Sequence, residues 1–262
     1  VIVFVFLTKP RTIRDWWEGN LRPPVVRYDG QMEFFPEVGA VGVQNVRHFK
    51  WRTRDDFEPS WVFETYFLDQ LDSLDLVIEP LGDSNRFAHT MLSFGFGPVR
   101  RVVISVEARR EKGERFGLIP GLYKQFELFY QINSERDAFT RRVLSPDSHL
   151  YVYPVKASPE FIRGLFLDLI QDAARLVDQP EFYHSLKANC TTKLFEHVNR
   201  NLDEPIRYTR EILFPSRAGR LLHELGWMDT ELDYPAAKER FRLADKVREF
   251  AEHPDFSTKI RQ

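Results

Sequence analysis

The chain has 262 residues, 43% hydrophobic and 14% aromatic, which suits a globular protein with one sizeable core. A net charge of -2 excludes a nucleic-acid binder that relies on a basic field. The single cysteine, Cys190, excludes an intramolecular disulfide and any multi-cysteine zinc site.

The chain opens on Val rather than Met, and residues 1–8 (VIVFVFLT) are apolar, with Lys9, Pro10, Arg11 and Arg14 behind them. Eight helical residues cover roughly 12 Å against about 30 Å of bilayer core. The segment is expected to be the end of a truncated membrane helix or signal sequence, with a buried first strand as the alternative. Trp16 and Trp17 suit an interfacial anchor, and the basic flank favours a cytoplasmic side. Residues 9–40 lack a clear period and read as an extended connector.

From Val41 the pattern turns to strands. Val41, Val43 and Val46 give a strand with a break; Trp61–Leu68 is aromatic and β-branched, and Leu74–Ile78 is a short apolar run. Phe87–Phe96 and Arg101–Arg109 form a candidate hairpin around Gly95, Gly97 and Pro98. Thr90, Leu92 and Phe94 share one face of the first strand, and His89, Met91 and Ser93 share its polar-facing side. Joining the apolar faces pairs Phe94 with Val102, which sets His89 opposite Glu107. Residues 111–124 read as a loop with a helical turn near Gly121–Gln125, followed by strands at Phe126–Ile132 and Leu150–Val155. Ser158 caps a long helix with Pro159 at its first position, and Phe161, Leu165, Leu169, Ala173 and Leu176 keep helical spacing. Asn189 caps a helix that begins at Cys190. Arg217–Leu225 and Pro235–Glu252 are expected to be helical.

Cys190 is the candidate nucleophile. A helix start lowers a thiol's pKa through its partial positive charge, and a neighbouring imidazole completes the activation. The plain alternative is a small core residue facing Leu194. His89 is the candidate base and Glu107 the group that orients it; alternatively His89 is a satisfied strand residue and Glu107 the start of a solvated charged run. His184 lies within reach of Cys190. His197 is two turns along the helix, roughly 10 Å away. Tyr183, Asn189 and Thr191 flank the thiol as candidates for oxyanion or substrate positioning, with packing as the alternative. Arg109, Arg110, Lys112 and Arg115 read as a solvated loop or a contact to anionic lipid. No HExxH, Gly-rich phosphate loop or G-x-S-x-G motif occurs, so no cofactor and no metal is expected.

The stretches FAHTMLSFGF, ISVEARREKGE, KQFELFYQINSERD, LYVYPV and FYHSLKANCTT, in this order, resemble the Lnb N-terminal periplasmic domain family. RDWWEGNLRPPVV, VQNVRHFKWRTRDDF and HPDFSTKIR extend the resemblance over nearly the whole chain after residue 10. The resemblance implies a circularly permuted, NlpC-type papain-like core in which the histidine strand precedes the cysteine helix. It implies an α+β fold with an antiparallel sheet packed against helices. The thiol domain is expected over 41–205 and a C-terminal helical extension over 206–262. By motif, Cys190 of NCTT is the nucleophile and His89 of AHT the base, with Glu107 of SVEAR as third group. Related members take part in N-acylation of bacterial lipoproteins. The implied function is acyl transfer or hydrolysis through a Cys190 thioester, on a lipid or lipoprotein in the periplasm. Anchoring to the inner membrane would run through the missing N-terminal segment. A cell-wall peptide amidase using the same dyad and a non-catalytic envelope scaffold are the alternatives.

Overall fold

The computed structural model describes residues 22–28, 39–82, 87–110, 114–207 and 215–262. The expected membrane segment and most of the connector lie outside them. In chain order the strands and helices of the first half are β1 (Val25–Tyr28), β2 (Ala40–Arg47), β3 (Lys50–Trp51), β4 (Phe57–Glu58), β5 (Trp61–Phe67), β6 (Leu71–Leu81), β7 (Phe87–Phe96), β8 (Arg100–Arg109) and α1 (Leu118–Leu122). The second half runs β9 (Glu127–Ser134), α2 (Glu135–Arg142), β10 (Tyr151–Pro154), α3 (Pro159–Asp178), α4 (Cys190–Arg200), α5 (Ala218–Glu224), α6 (Tyr234–Arg240), α7 (Ala244–Glu249) and α8 (Phe256–Lys259).

The fold is α+β, with one mainly antiparallel sheet ordered β1-β2-β9-β8-β7-β6-β10 and β5 paired to β2. The break expected after Val43 is a β-bulge. Register shifts between Gln44 and Val46, and Asn45 takes up a positive φ of 66° there. Asparagine tolerates that region better than most residues, and its Nδ2 here donates across to the Pro23 carbonyl at 2.8 Å, tying the bulge to the chain before β1.

The apolar faces of β7 and β8 meet α3, as the sequence pattern requires. Leu92, Phe94, Val102, Ile104 and Val106 share a core with Leu165, Phe166, Leu169 and Ile170. Phe166 stands edge-on to Phe94 and Phe96, at 5.2 and 5.3 Å between ring centroids. The helix starts where its cap was expected: the Ser158 side chain accepts from the Phe161 N–H.

The other side of β7 differs from expectation. It reads as polar-facing in the sequence, yet Met91 and Val103 are fully buried against Phe139, Val247 and Phe256. Helix α2, which falls between the strands expected at Phe126–Ile132 and Leu150–Val155 and has no counterpart in the sequence reading, covers that side together with α7 and α8. Its signal is local: Ser134 accepts from the Asp137 N–H, an S-x-x-D start to the helix.

The single helix expected over Pro235–Glu252 is two short ones. Between them the chain pairs with β10: Val152 N–H donates to the Phe241 carbonyl and Leu243 N–H to that of Leu150. Those bonds replace the intrahelical ones that a continuous helix would need. Near the C-terminus Arg261 donates to Glu135 and, at 2.6 Å, to Asp75, fastening this extension to the sheet.

Candidate functional site

The β7–β8 ladder pairs Phe94 with Val102 and ends at Met91 opposite Ser105. The flanking ladders run further, β6–β7 to Leu81 opposite Phe87 and β8–β9 to Arg109 opposite Glu127. The two central strands therefore part where His89, Thr90 and Glu107 lie. The start of α4 meets this opening. Thr90 Oγ1 and Thr191 Oγ1 are 3.1 Å apart, and Thr90 lies against the Cys190 thiol.

Asn189 builds that helix start. Its Oδ1 accepts from the N–H groups of Thr191 (2.9 Å) and Thr192 (3.0 Å), while its own N–H donates to Thr192 Oγ1. The box satisfies donors that a helix leaves orphaned. Nδ2 donates to the Ser185 carbonyl at 2.9 Å. The Asn189 side chain is thus committed to the cap rather than pointing an amide at a substrate. The Thr191 hydroxyl lies 3.8 Å from Cys190 Sγ. As first residue of the helix, Cys190 has no intrahelical acceptor for its own N–H.

His89 is held between strands. Its Nε2 is 2.6 Å from Ser105 Oγ and 3.2 Å from Glu107 Oε1. Ser105 donates to Glu107 at 2.7 Å. A hydroxyl has one proton, so Ser105 accepts from His89 and Nε2 carries a proton. That leaves Nδ1 for Cys190, the group that, after Glu107, favours the charged imidazole.

Behind the histidine, Arg142 of α2 donates to Glu107 Oε1 at 2.9 Å and pairs with Glu79 Oε2 at 3.0 Å. Glu79 lies directly across from His89 on β6. Ser105, Arg142 and Glu79 did not figure among the candidates. The period-2 pattern carries a signal for Ser105, two residues before Glu107 on one face; Arg142 was hidden with the unread helix.

The site is nearly closed: Cys190 is 7% and His89 8% exposed. Burial pushes the thiol up, but the His89 charge and hydrogen bond and the Thr90 bonds outweigh it, and Cys190 is lowered to about 7. Burial likewise opposes the imidazolium; Glu107 and then Cys190 overcome it, raising His89 to about 10. Glu107 resists its own desolvation through His89 and Arg142 and lies well below the usual carboxylate range. Tyr183 is buried beside the pair. Burial first, then the charges of Cys190 and Glu107, hold its hydroxyl above the ordinary tyrosine value.

The nearer histidines are engaged elsewhere. His184 Nδ1 accepts from the N–H groups of Leu186 and Lys187 in its own turn. His197 bonds Asp168 through Nδ1 at 2.8 Å and Tyr130 through Nε2 at 2.6 Å.

An apolar pocket of about 130 Å³ begins at Thr90 and Thr191 and runs between α4, β6 and the C-terminal extension. Those two threonines apart, every side chain lining it is apolar. Among the described residues no helix is long and apolar enough to cross a membrane.

Comparison with curated proteins and with solved structures gave no match. The model of the family described as the Lnb N-terminal periplasmic domain matches residues 57–223, a stretch that carries His89, Ser105, Glu107, Arg142 and Cys190. That is more than half of the chain, and the protein belongs to this family of periplasmic domains.

Proposed function

We propose that the chain is a cysteine-dependent acyltransferase or hydrolase of the bacterial envelope that works through an acyl thioester on Cys190. The observation that carries this reading is the buried Cys190–His89 pair, in which each group favours the other's charged form, the sulfur is lowered to about 7, and Glu107 stands 3.2 Å from His89 Nε2. A thiolate with an adjacent imidazolium is the activated form of a cysteine nucleophile. The order of the chain supports a permuted papain-like core over 41–205, with the base strand ahead of the nucleophile helix. Residues 206–262 are its extension.

In the first step the Cys190 thiolate attacks the acyl carbonyl of an ester. The C–S bond forms as the C–O bond breaks, and His89 gives its Nδ1 proton to the leaving alkoxide. In the second step an amine or water attacks the thioester, His89 takes a proton from it, and the thiolate leaves. The Cys190 N–H, at a positive helix end, suits an oxyanion. The donor is a membrane lipid or lipoprotein, as the apolar pocket beyond Thr90 and Thr191 and the lipoprotein N-acylation of related members favour. The protein works at the periplasmic face of the inner membrane, anchored through its N-terminal side.

Intact-protein mass spectrometry after incubation with envelope lipid extract tests this. An acyl-sized adduct, released by hydroxylamine and absent in Cys190→Ala, is expected. No adduct, with equal lipid turnover by wild type and Cys190→Ala, overturns it.

A further inference from the structure

The apolar pocket has a direction. Thr191, Leu194, Phe195 and Val198 line it at i, i+3, i+4 and i+7, one face of α4. Seven helical residues advance roughly 10 Å. On the sheet side the lining follows Thr90 to Leu92, with Leu76 directly across from Leu92 and Leu74 beyond. Both walls start at the threonine pair that touches the thiol and both turn apolar at once. The opposite wall comes from outside the thiol core. Ala218 and Leu222 of α5, with Leu225 and Trp227 behind it, close the trough. Gly219 fixes how closely α5 approaches: an added Cβ would meet the Tyr153 ring at 2.6 Å.

Resting on the thioester reading above, we propose that this trough is the acyl-chain pocket of the Cys190 site and that the C-terminal extension sets the chain length it accepts. A straight acyl chain on Sγ enters beside Thr191 and lies along α4, its carbonyl at the polar end. A dry apolar cavity of about 150 Å³ holds one benzene. A trough of about 130 Å³ therefore takes roughly six carbons. Each methylene moved from water into such walls favours binding about fourfold, until the trough is full.

The experiment follows acylation of Cys190 by p-nitrophenyl esters of straight-chain acids from acetyl to lauroyl, read by nitrophenol release and intact mass. The acylation constant should rise about fourfold per methylene and level off near roughly six carbons. The double variant Ala218→Leu/Leu222→Phe should level off at a shorter chain and cut the lauroyl-to-acetyl ratio at least tenfold. Phe63→Ser, at an exposed position of β5 away from the pocket, should keep the wild-type ratio. A flat wild-type profile, or a levelling point that the double variant does not move, overturns the pocket while leaving the thioester in place. Failure of every ester to acylate Cys190, acetyl included, overturns the thioester reading instead. The pocket is then judged on Cys190→Ala alone by fluorescence of dansyl-undecanoic acid. Binding weakened at least tenfold by the added double variant supports the pocket, and equal binding overturns it.

Discussion

Two buried histidines sit in two polar networks of this molecule, and they are used differently. His197, wholly buried on α4, has both ring nitrogens engaged, Nδ1 by Asp168 and Nε2 by Tyr130, with Asp172 3.5 Å from Nε2. Tyr130 in turn donates to Asp172 at 2.9 Å, and the network ties α4 to α3 and β9. His89 has carboxylate support on Nε2 alone and a thiol on the other side. A histidine closed at both nitrogens is a cross-link, whereas one closed at a single nitrogen can pass a proton. The two networks share α4, one at its first residue and one two turns on, so the cross-link also holds the helix that carries the thiol.

The largest expected effect comes from breaking the open member. His89→Ala should lower turnover at least about 100-fold, the usual worth of a positioned general base. The thiol would lose the charge that most lowers it and keep only Thr90 against burial, which moves it up from about 7 toward or beyond an ordinary cysteine at about 8.5. Iodoacetamide labelling at pH 7 should fall more than about tenfold. In wild type the labelling rate should rise through pH about 7, because the lowered sulfur pKa keeps the thiolate above that point. Turnover should decline again above pH about 10, where the raised His89 loses its proton. Wild-type labelling that rises only near pH 9 would remove the ion pair. His197→Ala should do the reverse. It leaves the buried Tyr130 without that partner and the half-buried Asp168 and Asp172 still held by Arg200 and Arg175, at a cost of about 2 kcal/mol in denaturant unfolding. Its labelling midpoint should stay where wild type has it.

Next in size is Glu107→Gln. The amide keeps an acceptor for Ser105 but removes the charge that most raises His89. A weaker imidazolium holds the thiolate less well, so the labelling midpoint should move up by about one pH unit, or 1.4 kcal/mol. The shift runs upward because the lost charge stabilised the cation that stabilises the anion. An unchanged midpoint would show that Glu107 only fills space. Arg142 should keep its Glu79 partner in this variant.

The sequence shows the part of the site that depends on local rules. Period-2 alternation set Phe94 against Val102, which carries His89 to the Glu107 side; cap chemistry put Cys190 at a helix start. What it did not show depends on distant chain. The side of β7 bearing His89 looks polar because His89 and Ser93 interrupt it, yet Ser93 is fully buried and donates to Glu135 of α2 at 2.7 Å. Nothing in the alternation tells a polar face in water from one satisfied by another element. Arg142 follows from that same helix, since it reaches Glu107 only when α2 lies over the sheet. The apolar pocket draws one wall from residues 218–227, and the helical periodicity there does not say what its apolar side covers.

The smallest effect separates the fold from the chemistry at one residue. Asn189→Ala removes the cap on Thr191 and Thr192 and should cost about 1 kcal/mol of stability. Asn189→Asp keeps an acceptor at the same place and, as a negative charge at a helix N-terminus, should leave stability close to wild type. That charge also stands one residue from the Cys190 thiolate. Like charges disfavour each other, so the labelling midpoint should rise by a few tenths of a pH unit, more at low salt than at high. The Ser185 carbonyl loses the Nδ2 donor in both variants, so that loss cancels when the two are compared. If Asn189 serves as a cap alone, the alanine variant moves the unfolding curve and the aspartate variant moves the labelling curve. Equal loss of turnover in both, with unfolding and labelling unchanged, would instead give Asn189 a direct contact with the substrate.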